Sequence, residues 1–191
     1  MKARTVICLA VVLAGPAAVP SPLAQAQDKK ELLGLPGPEH KKLEALAGTF
    51  SARVKAFEPG KPPLESNGTM TRTMIFGGRY LKEEYTGQMA GQLFNGLSMI
   101  GYDKVQRKYM IVWLDSASTD VMITSGTYDD RSRSFTYVTD LYDPYKGKKT
   151  RARDVLQILS ADQQKFEMFR QPPDPGAKEV RILEITYTRR R

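Results

Sequence analysis

Apolar and polar side chains alternate along the chain directly after Gly48. The first alternating segment comprises Phe50, Ser51, Ala52, Arg53, Val54, Lys55 and Ala56. Successive side chains of a β-strand point to opposite faces, so this period of two predicts a strand with one buried face. Comparable segments follow at residues 68–76, 79–86, 93–102, 109–114, 121–128, 134–141, 150–159, 165–170 and 179–188. The pattern therefore predicts about ten strands.

The links between the predicted strands are short and rich in turn-forming residues. Gly77-Gly78 separates two strands, and Asp129-Asp130-Arg131-Ser132 separates another pair. Links of this length suit hairpins between antiparallel neighbours, whereas parallel strands need long crossover connections. A closed barrel also removes the unpaired edges that an open sheet would leave. We therefore predict an all-β fold, an antiparallel up-and-down barrel of about ten strands.

One short helix is expected before the first strand. Pro38 suits the first turn of a helix, and Gly48 suits the left-handed residue that ends one. We predict a single barrel domain at 38–191, which includes this N-terminal helix, behind a polar linker at 27–37. His40, the only histidine, lies on the helix beside two lysines, and we expect it to be solvated.

The start of the chain has the layout of a secretory signal peptide. Lys2 and Arg4 precede an uncharged apolar run, and Ala24 and Ala26 are the small residues that a signal peptidase reads. The apolar run is too short for the roughly 20 residues that a membrane-spanning helix needs. We predict a signal peptide at 1–26, export to the periplasm or out of the cell, and no membrane span after cleavage.

The composition excludes several kinds of site. The only cysteine, Cys8, lies within the predicted signal, so the exported chain has no thiol for a disulfide, a metal or a nucleophile. One histidine without a thiol cannot assemble a zinc site of the usual kind, and the position of His40 outside the strands disfavours haem; we predict no cofactor. Loss of Lys2 and Arg4 lowers the formal charge from +8 to +6. Export makes nucleic acid the least expected partner of this basic chain, and we predict none.

The predicted strand that contains Trp113 ends in a polar segment. Tyr109, Ile111, Trp113 and Asp115 share one strand face, and Ser116, Ser118, Thr119 and Asp120 follow. At the rim of a barrel, Asp115 and these hydroxyls could hold the polar group of a ligand. The same residues also suit a loop capped by Asp and Ser side chains with no ligand.

Charged and aromatic residues interrupt the apolar faces of other predicted strands. A charge such as Arg72 or Arg153 pointing into the barrel costs several kcal/mol unless it is paired or binds an anion. Pairing with Glu83 or Asp154 is one explanation, and a ligand carboxylate held by Arg153 and Tyr187 is the other. The candidate ligand-binding residues are Arg72, Tyr85, Tyr102, Trp113, Asp115, Arg153 and Tyr187.

A set of short motifs extends over nearly the whole predicted mature chain. They are Leu43 to Phe50, Gly101-Tyr102-Asp103 with Tyr109, Trp113-Leu114-Asp115-Ser116, Gly126, Arg153-Asp154-Val155 and Tyr187-Thr188-Arg189-Arg190. In order and spacing they resemble the bacterial family catalogued as domain of unknown function 1579 (DUF1579). The first motif also resembles the helix-to-strand join of lipocalin-like, or calycin, barrels, although those carry Gly-x-Trp where this chain has Gly48-Thr49-Phe50.

The resemblance implies a barrel-like fold but no agreed activity. In calycins a basic residue from the last strand commonly packs across the aromatic residue of the first strand. The matching residues here are Arg189 and Phe50, which implies a cation–π contact that closes one end of the barrel. Such a contact would be structural.

Three hypotheses for function follow. The leading one is a non-catalytic exported barrel whose interior holds a small hydrophobic or amphipathic molecule, because the chain is rich in Met, Tyr and Phe and lacks a catalytic constellation. The second is a carboxylate-dependent hydrolase or isomerase that uses Asp115 as acid or base. The third is an interaction module with a filled barrel and a basic or aromatic surface around Tyr142, Tyr145 and Lys146. The volume and lining of the interior separate a container from a scaffold.

Overall fold

The computed structural model describes residues 33–143, 147–172 and 176–191. The elements are helix α1 (Pro38–Glu44) and strands β1 (Gly48–Ala56), β2 (Leu64–Ile75), β3 (Tyr80–Met89), β4 (Gln92–Asp103), β5 (Lys108–Asp115), β6 (Met122–Asp129), β7 (Ser134–Asp143), β8 (Lys148–Ile158), β9 (Gln163–Arg170) and β10 (Val180–Arg189). Residues 35–191 form one compact unit. The predicted signal peptide and most of the predicted linker lie outside the described residues. Among the described residues, no helix is long and apolar enough to cross a membrane.

The ten strands form a closed antiparallel barrel in sequence order. Each strand pairs with the next along the chain, and β1 also pairs with β10. In this closing pair, Phe50 lies opposite Arg189 and Ala52 lies opposite Tyr187. The predicted fold class is therefore confirmed, since the chain is an all-β, up-and-down barrel with a short N-terminal helix.

The alternation along the sequence determines which side chains face the interior. On β1, Phe50 and Ala52 are buried, whereas Ser51 and Arg53 are exposed. A one-residue slip would exchange the two sets, so the hydrophobic pattern fixes the register of the strand. The same period on the other strands gives the barrel an inner face that is distinct from its outer wall.

Aspartates at the ends of three strands fix the hairpins that follow them. Asp103, Asp115 and Asp129 each accept hydrogen bonds from the backbone N–H groups two and three residues later. These turns join β4 to β5, β5 to β6 and β6 to β7. The link from β2 to β3 uses glycine instead, because Gly77 and Gly78 have φ angles of 64° and 81°.

Helix α1 covers one end of the barrel, here called the closed end. Leu43 of α1 is fully buried in the core. The hydroxyl of Tyr109 donates to the carboxylate of Glu39 across 2.7 Å, and the side-chain amide of Gln164 donates to the carbonyl oxygen of Ala45 across 3.4 Å. The helix is thus bound to β5 and β9 as well as packed on the core.

Gly48 begins β1, whereas the sequence predicted that it ends the helix. α1 stops earlier, at Glu44, and Gly48 has a φ angle of 136°. A Cβ atom at Gly48 would lie 2.0 Å from Nη1 of Arg189. That nitrogen donates to the carbonyl oxygen of Ala47 across 3.0 Å. Glycine is needed here because the Arg189 side chain passes over the start of β1 to reach the ring of Phe50.

The prediction that His40 is solvated is wrong. Its side chain is buried at the closed end, where Nδ1 accepts a hydrogen bond from the backbone N–H of Gly37 across 3.0 Å. The imidazole also meets the ring of Tyr102 edge to face. Burial, together with the charges of Lys104 and Arg79, lowers the pKa of His40 below its usual value. The two neighbouring lysines suggested an exposed position, but the side chain of His40 caps the first turn of α1.

Candidate functional site

The inward-facing side chains enclose a cavity of about 460 Å³. Its lining runs from Arg72 and Tyr187, near the closed end, to Met89 and Ala117 at the opposite, distal end. A volume between about 300 and 1,000 Å³ is typical of small-molecule sites. The described side chains therefore do not fill the barrel, which argues against the filled-barrel interaction module.

Most of the cavity wall is apolar. The aliphatic and aromatic lining residues come from all ten strands and include Val54, Met70, Tyr85, Phe94, Ile111, Met122, Tyr137, Leu156, Phe166 and Ile185. Contact with such a wall removes apolar ligand surface from water, which contributes roughly 25 cal/mol for each Å² that is buried. The cavity is therefore suited to a molecule with a largely apolar body.

Two of the lining rings lie directly over glycines of neighbouring strands. A Cβ atom at Gly96 would lie 2.3 Å from Cη2 of Trp113, and one at Gly126 would lie 2.6 Å from Cδ1 of Tyr137. Glycine on the adjacent strand allows each ring to rest against the barrel wall. Trp113 and Tyr137 therefore line the lumen without crossing it.

Tyr85 repeats this arrangement against two glycines at once. Gly68 and Gly87 face each other across β2 and β3, and a Cβ atom at either would lie within 2.4 Å of the Tyr85 hydroxyl oxygen. Phe94 packs on the Tyr85 ring with a centroid separation of 5.9 Å. The paired glycines thus leave space at the wall for an aromatic side chain that would otherwise occupy the lumen.

Asp115 holds Trp113 and the turn that follows β5. Its Oδ2 accepts a hydrogen bond from Nε1 of Trp113 across 2.9 Å, while Oδ1 accepts from the backbone N–H groups of Ala117 and Ser118. Asp115 also borders the cavity. The loop-capping interpretation describes these contacts fully, and a catalytic use of Asp115 stays a prediction.

A buried ion pair lies at the closed-end side of the cavity. Nε of Arg72 donates to Oε1 of Glu83 across 2.5 Å, and Nη1 of Arg72 donates to the side-chain oxygen of Gln164 across 2.6 Å. The hydroxyl of Ser98 donates to the second carboxylate oxygen of Glu83 across 2.6 Å. All four side chains are buried. Pairing with Glu83 is therefore the explanation for the inward charge of Arg72.

Aromatic rings enclose the same guanidinium group. Its carbon lies 4.4 Å from the ring centroid of Tyr187 and 5.5 Å from that of Phe50. The guanidinium carbon of Arg189 lies 4.6 Å from the Phe50 centroid. The cation–π contact that the family resemblance implied is confirmed, and Phe50 interacts with two arginines. We call Arg72, Glu83, Ser98, Gln164 and Tyr187 the cavity floor.

The hydroxyl group of Tyr137 is not hydrogen-bonded to this network. It is fully buried, and within the part of the chain that the structure describes it has no hydrogen-bond partner. Tyr137 lines the cavity from β7. Burial, the largest cause, and the nearby carboxylate of Glu83 raise the pKa of Tyr137 well above the usual value, while Arg72 opposes the shift. The phenol therefore stays protonated and can donate a hydrogen bond.

Asp154 and Arg153 lie on opposite sides of the barrel wall. Asp154 borders the cavity and pairs with Nη1 of Arg170 across 3.0 Å, and burial raises its pKa although Arg170 opposes the shift. Arg153 instead forms a two-nitrogen contact with the carboxylate of Glu179 and stacks on the ring of Phe169. Arg153 is not among the residues that line the cavity.

The sequence matches the model of one protein family over most of its length. The model of the family described as protein of unknown function (DUF1579) matches residues 35–189. The chain belongs to this family. The match covers α1 and all ten strands of the DUF1579 barrel, so the resemblance carried by the short motifs is confirmed. No protein of curated function matches the sequence.

Two solved structures share the fold of this DUF1579 protein. The S-type phycobiliprotein lyase CPES from Guillardia theta is 12% identical, with a TM-score of 0.56 and coverage of 84% of this chain and 97% of that chain. Rv2717c from M. tuberculosis is 15% identical, with a TM-score of 0.59 and coverage of 81% and 99%. At these identities the similarity shows a shared barrel fold and nothing about activity.

The structure brings together five of the seven predicted site residues. Those that line the cavity are Arg72, Tyr85, Trp113, Asp115 and Tyr187. Tyr102 and Arg153 do not line it, because Tyr102 packs on His40 and Tyr109 at the closed end and Arg153 faces outward. Tyr145 and Lys146 of the proposed interaction surface lie outside the described residues, as does the side chain of Tyr142.

The sequence interpretation missed Tyr137 as a member of the cavity. The sequence did contain an indication that Tyr137 faces inward, because Phe135 and Tyr137 lie two positions apart in a predicted strand and must share a face. What the sequence does not show is that Tyr137 lacks a hydrogen-bond partner. That property depends on how the other strands place their polar groups.

Proposed function

We propose that this DUF1579 protein is a non-catalytic binding protein that holds a small, partly apolar molecule inside its barrel. The observation that carries the proposal is the cavity of about 460 Å³ with its largely apolar wall. The polar side chains of its floor bind one another, and Asp115 and Asp154 on the rest of the lining are bound to Trp113 and Arg170. A ligand would gain mainly from burial of apolar surface, as in most small-molecule sites.

In this proposal the predicted site residues have different roles. Tyr85 and Trp113 contact the apolar body of the ligand, since both rings rest on the wall of the lumen. Asp115 holds the Trp113 ring through its indole N–H. Arg72 and Tyr187 belong to the cavity floor, where they bind other side chains of the protein. The ligand is therefore held by other groups.

Trp113 provides a direct test, because it is the only tryptophan of the chain and it lines the cavity. Titration of the purified protein with Nile red, a neutral apolar dye, should change the Trp113 fluorescence and saturate at one dye per chain. Native mass spectrometry after incubation with a cell extract should then show a retained small molecule. Absence of both dye binding and a retained molecule would overturn the proposal.

A matched pair of variants separates cavity binding from binding to the outer surface. Val54 lines the cavity, whereas the adjacent Arg53 is exposed on the outer wall. Val54→Phe places an additional ring in the lumen and should weaken Nile red binding by about tenfold or more, because the ring occupies ligand volume. Arg53→Phe adds a ring outside and should leave the dissociation constant unchanged. Equal effects of the two variants would count against an interior site.

We also propose that the protein acts after export. Support comes from the sequence alone, in the basic start, the uncharged apolar run and the small residues at Ala24 and Ala26. Expression in a bacterial host should yield a chain that begins at Gln27 in the periplasmic or secreted fraction. Terminal sequencing that finds Met1 or Lys2 retained in a cytoplasmic product would contradict this assignment.

A further inference from the structure

The buried hydroxyl of Tyr137 restricts what the cavity can hold. Tyr137 has only 2% of its surface exposed and lines the cavity, yet its hydroxyl has no hydrogen-bond partner among the described residues. A buried donor without a partner destabilises the protein, because it has lost its hydrogen bonds to water. A ligand atom that accepts this hydrogen bond would remove that cost, so the hydroxyl selects for an acceptor.

The charged groups that line the cavity already have partners within the protein, and the carboxylate of Asp115 at the distal end accepts hydrogen bonds from Trp113 and two backbone N–H groups. Arg72 is bound to Glu83 in the floor, and Asp154, which lies opposite Tyr137 in the β7–β8 pair, is bound to Arg170. Arg72 is the only cation among the described lining residues. A ligand carboxylate would therefore find no unpaired cation there, and a ligand ammonium would find both nearby carboxylates paired.

Burying an ion without a counter-ion is strongly unfavourable, because the ion loses its hydration. The carboxylates of Glu83 and Asp154 would add repulsion against an anion. The sequence-based expectation of a ligand carboxylate held by Arg153 and Tyr187 also loses its cation, since Arg153 lies on the outer wall bound to Glu179. Both arguments favour a polar group without charge.

We infer that the ligand is a neutral amphipathic molecule whose carbonyl, ester or amide oxygen accepts a hydrogen bond from Tyr137. Its apolar body extends from there along the wall toward Trp113 and Phe94 at the distal end. This inference rests on the proposed function, since it requires a ligand in the cavity. The raised pKa of Tyr137 is consistent with it, because a protonated phenol is a donor over the whole physiological range.

Four probes of matched chain length test the inference on the unmodified protein. They are decane, methyl decanoate, decanoate and decylamine, each titrated at neutral pH by displacement of Nile red. Methyl decanoate should bind at least about threefold more tightly than decane, which corresponds to one hydrogen bond. Decanoate and decylamine should bind at least about tenfold more weakly than the ester, because each brings an unpaired charge.

The Tyr137→Phe variant removes only the hydroxyl. Its affinity for methyl decanoate should fall about threefold to tenfold, while its affinity for decane stays unchanged. Tyr109→Phe is the matched control, because Tyr109 does not line the cavity and its hydroxyl is bound to Glu39. This control should leave both affinities as they are. Should Tyr137→Phe fail to fold, the four probes on the unmodified protein still decide.

The outcomes separate the inference from the proposed function. If decane or Nile red binds but the ester gains nothing, or if decanoate or decylamine binds as tightly as the ester, the inference is overturned and the container function stands. If neither Nile red nor any of the four probes binds and no molecule is retained from the cell extract, both are overturned. A loss of ester affinity in Tyr137→Phe with unchanged decane affinity supports the assigned hydrogen bond.

Discussion

The two ends of the barrel are filled in different ways. At the closed end, Leu43, Leu46 and Phe50 have no exposed surface. At the distal end, Leu64 and Met89 border the cavity and yet are 56% and 49% exposed. Both ends are made by the same ten strands, so the difference comes from α1, whose apolar face packs into one end. A helix of the chain itself occupies the closed end, and space for a ligand is left beside it.

The boundary between the two regions is the cavity floor. Arg72 is enclosed by Phe50 on the core side, while Glu83 and Ser98 line the cavity. A fully satisfied polar network can be buried at low net cost, whereas a partly satisfied one is expensive. The closed end is thus packed by the chain's own side chains, and the distal half of the barrel is left open for the ligand that we propose.

The largest expected effect comes from breaking the ion pair at this boundary. Arg72→Met leaves the buried carboxylate of Glu83 without its cation and should lower the free energy of unfolding by about 3–5 kcal/mol. Urea denaturation followed by circular dichroism measures the loss. The double variant Arg72→Met/Glu83→Met removes both charges and should lose clearly less. A single variant as stable as the unmodified protein would show that the floor is not a structural boundary.

A second, smaller effect contrasts two buried tyrosines. The Tyr109 hydroxyl is bound to the Glu39 carboxylate, whereas the Tyr137 hydroxyl has no partner in the described chain. Tyr109→Phe should lower the free energy of unfolding by about 1.5–3 kcal/mol, the range for hydrogen bonds to charged groups, while Tyr137→Phe should leave it unchanged or raise it slightly. Thermal or urea unfolding of the apo proteins measures both. The reverse order would contradict the division between a stabilising end and a binding end.

The fold could be predicted because local rules acted together. A period of two, hairpin-length links and turn residues all indicated one antiparallel barrel, and strand pairing then follows chain order. The Arg72–Glu83 pair could also be predicted, since the two residues lie opposite each other in one hairpin. Features that depend on neighbouring strands can be inferred when the strands are adjacent in sequence.

Other parts of the site needed the three-dimensional arrangement. Arg153 and Asp154 are consecutive in β8 and point to opposite faces, so the pairing of Arg153 with Asp154 that the sequence left open does not form, and Arg153 binds Glu179 instead. Which of the two faces inward was not decided until the register with β7 and β9 was known. The partner of Asp154 is Arg170 on β9, and no local pattern identifies it.

A third effect tests how the closed end is sealed. Arg189→Met removes the cation beside Phe50 and the hydrogen bond to the carbonyl oxygen of Ala47, and it should cost about 1–2 kcal/mol in unfolding free energy. Arg190→Met is the control, because Arg190 bonds only at the exposed surface and should cost about 0.5 kcal/mol or less. Nile red affinity should be unchanged in both. A weaker affinity in Arg189→Met alone would mean that the two ends are coupled.

The smallest effect is a dependence of stability on pH that originates at the closed end. His40 has a lowered pKa in the folded protein, while the unfolded chain has the ordinary value near 6.5. Below that value the unfolded chain binds the proton more readily, so stability should fall as pH decreases toward the folded pKa, with no contribution from His40 above about pH 7.5. His40→Gln, which keeps a side-chain acceptor for Gly37, should lack this part of the decline.

Unfolding free energies of the two proteins between about pH 5 and 8 measure the difference, which should narrow or reverse on acidification. In the folded protein, the positive charges of Lys104 and Arg79 lower the pKa of His40, and the negative charge of Glu39 raises it. Nile red affinity should stay constant over the same interval, because the floor lies between His40 and the ligand. If the unfolding free energies of the two proteins change with pH in the same way, His40 is protonated equally in the folded and unfolded states. If Nile red affinity falls together with stability on acidification, the closed end does not act independently of the cavity.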